Sequence, residues 1–244
     1  MKPRVAVVMS GHVRTFQDCW PTWQKNVVEH LGWDCDYFVV THELAERTDK
    51  SVDPTKMKHV PDELTSRELV KAALETVSPK ESLILTADPD VSLITTALLS
   101  SGVYRSREEW AKTQPLQTFG LKSGWSLLSP HIEDYQLVVR LRFDYEFPIP
   151  LDVDMTALPP PRTVITLDRP NPLQSDSVCD CFAIMNPADA EHYFTLHDTL
   201  VSRALSRRMR KYNLEIHLGM RLQEDGRQII KVPFAQHRSW VRRF

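Results

Sequence analysis

The chain has 244 residues, of which 42% are hydrophobic and 25% are charged, and its formal net charge at pH 7 is −2. This length and composition predict one globular domain over residues 1–244, and the small net charge gives no reason to expect a nucleic-acid partner. No apolar run is long enough for a membrane span or for the core of a signal peptide, so we expect a cytoplasmic protein (in the host cytoplasm if the chain is viral).

Strand-like and helix-like segments alternate along the chain, which favours an α/β fold. In the first half we predict strands at 4–10, 37–41 and 82–87, with helices after the first strand, at 68–77 and at 90–100. In the second half we predict a helix at 108–128, strands at 136–142, 163–167 and 181–185, and helices at 187–208 and 214–223. The segments 43–65 and 148–161 are polar or proline-rich and are predicted to be loops.

Prolines and one glycine mark the expected helix boundaries. Pro21 is assigned to the first turn of the first helix, where a missing N–H costs little, and Gly32 to the end of that helix. Pro115 suggests a break in the helix at 108–128.

The segment Ser-Gly-His-Val-Arg-Thr at 10–15 lies between the first strand and the first helix. Ligands of open α/β sheets bind beyond the carboxyl ends of strands, and a helix N-terminus at that position favours phosphate. Gly11 allows close backbone approach, and the guanidinium of Arg14 can hold a diphosphate. An ordinary strand-to-helix turn with a surface arginine explains the same residues equally well.

The segment Val-Val-Arg-Leu-Arg-Phe-Asp-Tyr-Glu-Phe at 138–147 brings Arg140, Arg142, Asp144 and Glu146 to the end of an apolar strand. Alternation along a strand puts all four side chains on one face. An acidic group beside two guanidinium groups suits a site for a metal ion and a diphosphate. The alternative is an edge strand whose charges form salt bridges.

The acidic pattern Asp-x-Asp/Glu occurs five times in the chain, which makes it a weak signal by itself. Among these pairs, only Asp144 follows a long apolar strand within a cluster of arginines. Asp88 and Asp90 also follow a strand, but an Asp-Pro turn in which Asp90 caps the next helix explains them better.

Asp180 directly precedes the predicted strand at 181–185, where a carboxylate could accept the proton of an acceptor hydroxyl, with 171–177 as one wall of the acceptor cleft. A structural role for Asp180 is equally compatible with the sequence. Glu215, in a later helix, is the competing base. The nine histidines show no metal-ligand spacing, and Cys179 and Cys181 are too close for a zinc knuckle, so they and the other two cysteines, Cys19 and Cys35, are expected to be reduced thiols.

Taken together, the apolar strand with Ser-Gly-x-x-Arg, the Arg-x-Arg-x-Asp strand, the later Asp-x-Phe and the final helix with its glutamate resemble a group of small viral and bacterial glycosyltransferases of the GT-A fold. The resemblance runs from about residue 4 to residue 223. It implies a Rossmann-like domain with a mixed, mostly parallel central sheet flanked by helices. It also implies transfer of a hexose or deoxyhexose from a nucleotide-diphosphate donor to a hydroxyl of a glycan or glycoprotein, with Mn²⁺ or Mg²⁺ and without a membrane span.

The resemblance also implies roles for particular residues. Metal ligation is expected from Asp144 and Glu146, and base chemistry from Asp180 or Glu215. Contacts with the nucleotide and diphosphate are expected from Ser10, Gly11, His12, Arg14, Thr15, Arg140 and Arg142. Glu146 stands where the motif usually has a second aspartate, and cysteines surround Asp180. A non-catalytic nucleotide- or sugar-binding domain and a metal-dependent nucleotidyltransferase remain as alternatives, although the chain lacks the glycine-rich phosphate loop of the latter.

Overall fold

The computed structural model describes residues 2–44, 63–100, 108–153, 158–168, 178–206 and 214–233. The strands are β1 (Arg4–Ser10), β2 (Asp34–His42), β3 (Glu81–Leu85), β4 (Leu137–Leu141), β5 (Thr163–Asp168), β6 (Phe182–Met185) and β7 (Gln228–Pro233). The helices are α1 (Phe16–Trp23), α2 (Glu63–Val77), α3 (Ser92–Ser100), α4 (Glu108–Leu128), α5 (Pro187–Phe194), α6 (Leu196–Leu205) and α7 (Leu214–Glu224).

The seven strands form one sheet in the order β3-β2-β1-β4-β6-β5-β7. The neighbours β3, β2, β1 and β4 are all parallel, β6 is antiparallel to both β4 and β5, and β7 is parallel to β5. The prediction of an α/β fold is thus confirmed, and the sheet is mixed and mostly parallel. The predicted βαβ unit is also present, since β1 and β2 are parallel neighbours connected by α1.

The central strand β1 is buried on both faces, which explains why its sequence is a continuous apolar run. Val5, Val7 and Met9 belong to the core layer beneath α1 and α2. Ala6 and Val8 belong to the opposite layer, which includes residues of α3, α4, α5, α6 and α7. The strand therefore packs against both core layers, and its carboxyl end lies between them.

Helix α4 packs unusually close to the sheet because two glycines face it. A Cβ atom on Gly124 would lie 2.4 Å from Cγ1 of Val8, and one on Gly120 would lie 3.4 Å from Ser10. The helix also runs through Pro115 without interruption, so the predicted break is wrong. The glycines bring α4 beside the carboxyl end of β1.

Three further predictions about the elements need correction. Pro21 lies inside α1 rather than in its first turn, and the chain continues into a π-helical segment, Gln24–Glu29. The helix predicted at 187–208 is two helices that meet at Thr195, whose ψ of 21° departs from helical geometry and whose carbonyl accepts from the guanidinium of Arg221 at 2.9 Å.

The third correction is β7, which the sequence reading missed and which pairs with β5 at the end of the sheet. Gly32, by contrast, has a φ of 65°, as expected for a glycine that ends a helix. Most of the predicted loop at 43–65 lies outside the described residues. Among the described helices, none combines the length and the apolar character that crossing a bilayer requires.

Candidate functional site

A pocket opens at the carboxyl ends of the four parallel strands β3, β2, β1 and β4, against the side of α4. From β1 the chain connects to β2 on one side, while β4 lies on the other side, and ligands of open α/β sheets bind at such a switch point. The lining residues are Ser10, Gly11, His12, Arg14, Val40, His42, Leu85, Thr113, Leu116, Gln117, Gly120, Arg140, Arg142 and Asp144. Seven of these were predicted from the sequence, and they came from two segments that are about 130 residues apart.

The loop after β1 forms one wall of the pocket. Gly11 has a φ of 125°, which side chains rarely tolerate, and its N–H donates to the carbonyl of Val40 at 3.1 Å. The ring of His12 stacks on that of His42, with centroids 4.2 Å apart, and its Nδ1 lies 3.2 Å from the carbonyl of Leu44. These contacts fix the loop against the end of β2.

Arg140 is the buried anchor of the site, with 2% of its surface exposed. Its Nε donates to the carbonyl of Asp180 at 3.2 Å, its Nη2 to that of Ser10 at 3.2 Å and its Nη1 to that of Leu141 at 2.5 Å. Burial lowers the pKa of Arg140, but an arginine keeps its charge in proteins. The guanidinium thus joins the ends of β1 and β4 to the chain just before β6.

Arg142 and Asp144 form a two-pronged ion pair. Nε of Arg142 donates to Oδ1 of Asp144 at 2.8 Å, and Nη2 donates to Oδ2 at 2.6 Å. Arg14 approaches the same Oδ2 at 3.8 Å. Burial alone would raise the pKa of Asp144, but the charge and hydrogen bonds of Arg142, together with the charge of Arg14, hold it below its ordinary value.

The same balance acts on the guanidinium. Burial opposes the charge of Arg142, yet Asp144 and Asp180 raise its pKa well above the ordinary value. Both partners of this pair are therefore ionised at neutral pH.

The described lining of the pocket favours an anion. It carries three guanidinium groups and one carboxylate, so positive charge is in excess. The cavity measures about 80 Å³, which is well below the roughly 300–1,000 Å³ of a typical ligand pocket. Space of this size suits a compact charged group such as phosphate, and the rest of a larger ligand would lie on the adjoining surface.

Of the two predicted ligands of a hard cation, only Asp144 lines the pocket. Both oxygens of Asp144 already accept hydrogen bonds from Arg142, and Glu146 does not line the pocket. The strand β4 ends at Leu141 and a turn follows, so the strict alternation expected through Glu146 is not continued. Asp144 is thus the one carboxylate of the described lining, and Mn²⁺ or Mg²⁺ at this position would need phosphate oxygens for most of its other ligands.

The predicted base residues lie outside the pocket lining. Asp180 is 7% exposed, and its Oδ2 is 3.6 Å from Nη1 of Arg142. Asp180 therefore contacts a residue of the pocket lining without belonging to the lining itself. The carbonyl of Glu215, in the first turn of α7, accepts from the N–H of Val178 at 3.0 Å, which ties α7 to the same loop. Thr15 precedes α1, and its hydroxyl lies 3.7 Å from the sulfur of Cys19. The predicted acceptor wall at 171–177 lies outside the described residues.

The site also includes residues of β2, β3 and α4, which the sequence pattern did not indicate. His42 ends β2, lies in the wall, and has its Nδ1 3.7 Å from Oδ1 of Asp88. Asp90 accepts from the N–H of Ser92 at 2.9 Å, which confirms the expected helix cap and lowers the pKa of Asp90. Gly120 could have been predicted to face a packed surface, since a glycine inside a helix usually has a packing reason.

Charged residues at the end of β4 do not belong to an edge strand, because β4 lies between β1 and β6. That excludes the alternative of a salt-bridged edge. The arrangement can hold a compact anion between Arg14 and Arg142, with Arg140 fixing the backbone around it. Comparison with protein-family models and with curated protein sequences finds no match for this chain.

Proposed function

We propose that this protein is a glycosyltransferase of the GT-A type that transfers a hexose or deoxyhexose from a nucleotide-diphosphate donor to a hydroxyl of a glycan or glycoprotein. The observation that carries the proposal is the meeting of the Ser10–Thr15 loop with Arg140, Arg142 and Asp144 at the carboxyl ends of the parallel strands. These are two of the four segments on which the family resemblance rests. They are far apart in sequence and lie in one pocket.

The excess of positive charge suits the diphosphate of such a donor. Arg14 and Arg142 can each donate to phosphate oxygens, and charge-assisted contacts of this kind are stronger than neutral ones. During transfer, the bond between the anomeric carbon and the diphosphate oxygen breaks and negative charge grows on the leaving group. Guanidinium groups already in place stabilise that charge without reorganisation.

The second half of the reaction needs a proton acceptor. The acceptor hydroxyl forms the new bond to the anomeric carbon and gives up its proton, for which we propose the carboxylate of Asp180. Asp180 contacts the pocket through Arg142, so a substrate hydroxyl would have to approach along that side. If Asp180 only orients Arg142, its replacement will weaken donor binding instead of slowing the chemical step.

In this proposal, a divalent cation would bind only together with the nucleotide-diphosphate donor. Phosphate oxygens would supply most of its ligands, and Asp144 is the carboxylate at hand. The neutralisation of the leaving group described above depends on the arginines and not on the ion. Dependence of turnover on Mn²⁺ is therefore a separate question that the experiment below answers.

The test is a thermal-shift series with nucleoside diphosphates, each with and without Mn²⁺, followed by a screen of nucleotide-sugars for release of the diphosphate. A ligand at 100 times its Kd stabilises the native state by about 2.7 kcal/mol. The matching nucleosides without phosphate are the control and should leave the melting temperature unchanged. Equal stabilisation by nucleoside and diphosphate would refute an anion site at the arginines.

One observation favours a second candidate, a non-catalytic nucleotide- or sugar-binding domain. Neither proposed base lines the described pocket, whereas the anion-binding arginines do. Such a domain would bind nucleoside diphosphates as strongly as the enzyme but release none from any nucleotide-sugar. The two steps of the experiment separate these outcomes.

A further inference from the structure

A second group of metal-ligating side chains lies beside the anion pocket, immediately before β6. One ligand atom from each of Cys179, Asp180 and Cys181 lies within 4.8 Å of the other two. All three residues are buried, with exposures of 3%, 7% and 2%. Consecutive residues seldom turn three such atoms toward one another, because neighbouring side chains of an extended chain point to opposite sides.

The contacts around these residues are those of a protonated dithiol. The thiol of Cys181 donates to Oδ1 of Asp180 at 3.4 Å, and its sulfur accepts from Nη1 of Arg142 at 3.4 Å. The two cysteines are not joined in a disulfide.

The charges of this region permit the exchange of two thiol protons for one divalent cation. With both carboxylates ionised, Asp144 and Asp180 offset two of the three guanidinium groups of Arg14, Arg140 and Arg142, so one positive charge is present before a metal binds. Loss of two thiol protons and gain of one M²⁺ leave the total charge unchanged. A buried site avoids the large cost of an uncompensated charge in this way.

The kind of ion follows from the donor atoms. Two thiolates and one carboxylate suit a borderline-soft, tetrahedral ion such as Zn²⁺, whereas Mg²⁺ and Mn²⁺ prefer oxygen. Bonds of about 2.3 Å from zinc to sulfur require the ligand atoms to close in by roughly an ångström, which side-chain rotation supplies. The N–H of Arg142 that points to Cys181 can remain as a donor to the metal-bound thiolate.

We propose that Cys179, Asp180 and Cys181 form a binding site for a thiophilic divalent cation of the Zn²⁺ type. The ion would bind through both sulfurs and the carboxylate, with one water as the fourth ligand, and two protons leave to solvent. Arg142 contacts this cluster and also lines the anion pocket, so the two sites are neighbours. This inference stands apart from the proposed transferase activity, and it adds that Zn²⁺ would compete with any role of Asp180 as a base.

The experiment is a titration of the reduced, full-length protein with Co²⁺, the spectroscopic substitute for Zn²⁺. The expected result is one equivalent of Co²⁺ bound with a sulfur-to-cobalt charge-transfer band, d–d bands typical of tetrahedral geometry, and release of two protons in weak buffer. Addition of Zn²⁺ should abolish the bands. Absence of the charge-transfer band in the folded wild-type protein with all thiols reduced would overturn the proposal.

Serine variants locate the ion. Cys179→Ser and Cys181→Ser should lose the charge-transfer band or weaken Co²⁺ binding at least tenfold, while Cys19→Ser and Cys35→Ser should keep it. Circular dichroism checks that each variant is folded. Retention of the full band in Cys181→Ser, or its equal loss in Cys19→Ser, would contradict the assignment, and neither result depends on whether nucleoside diphosphates bind.

Discussion

Replacing Arg14 by alanine removes a guanidinium that we expect to contact the diphosphate directly. Its side chain is 32% exposed and 3.8 Å from Oδ2 of Asp144, whereas Arg142 holds the same oxygen at 2.6 Å. Of the two contacts with Asp144, that of Arg14 is therefore the looser one. A charge-assisted contact is worth about 1.5–3 kcal/mol, and partial exposure puts this one near the lower end, so we expect a loss of roughly 10- to 30-fold in affinity.

Isothermal titration with a nucleoside diphosphate measures this loss, and Arg4→Ala is the matched control. Arg4 lies at the opposite end of β1, where its exposed side chain pairs with Asp36 at 3.1 Å, and its removal should leave the affinity unchanged. Binding to the wild type should also weaken as salt concentration rises, because the contact is between ions. An Arg14→Ala protein that binds with wild-type affinity, or an equal loss in Arg4→Ala, would refute the reasoning.

Three further predictions concern the pocket and the helix beside it. Asp144→Asn should weaken diphosphate binding at least tenfold and abolish any enhancement of that binding by Mn²⁺, because it removes the ion pair that orients the guanidinium of Arg142. Asp88→Asn, measured by the same titration, should retain both the affinity and the enhancement. The lowered pKa of Asp144 contributes stability that is present above its ordinary pKa of about 4 and is lost as the pH falls from there through the lower pKa of the folded protein, so the melting temperatures of wild type and Asp144→Asn should converge as the pH falls below about 4. Asp180→Asn should leave diphosphate binding intact and lower kcat by about a hundredfold or more if it is the base; a loss of affinity instead would make it a positioning residue. Gly124→Ala should lower the melting temperature, because a Cβ 2.4 Å from a valine methyl forces α4 away from the sheet. This costs about 1–3 kcal/mol, more than the ~1 kcal/mol gained in helix propensity. Gly120→Ala should be neutral or stabilising.

The elements that the sequence predicted well are those in which local pattern and tertiary burial agree. The strand Arg4–Ser10 and the helix Glu108–Leu128 have the predicted bounds. At Thr195, where the helix predicted at 187–208 is split, the carbonyl accepts from Arg221 of α7. Such a contact joins distant parts of the chain and leaves no periodic signal.

The site was predictable in its composition but not in the function of each charge. Position after a strand brought Arg14, Arg142 and Asp144 together in one predicted site, and they line one pocket. It did not distinguish a carboxylate that faces a metal from one that is held by a guanidinium, since both follow from the same spacing. The wall residue His42 could not be assigned to the pocket until the order of the strands was known.

Arg140 explains how a central strand can carry charge into the core without destabilising the sheet. An arginine on a strand that is covered on both faces would ordinarily be costly, because its N–H groups need acceptors and its charge needs compensation. Here three backbone carbonyls, those of Ser10, Leu141 and Asp180, accept from it. Each belongs to a different part of the site, namely the end of β1, the end of β4 and the loop before β6. The three carbonyl groups that accept from the buried guanidinium of Arg140 therefore also position the pocket. Because the guanidinium needs these acceptors, the end of β4 is stable only when the site is assembled.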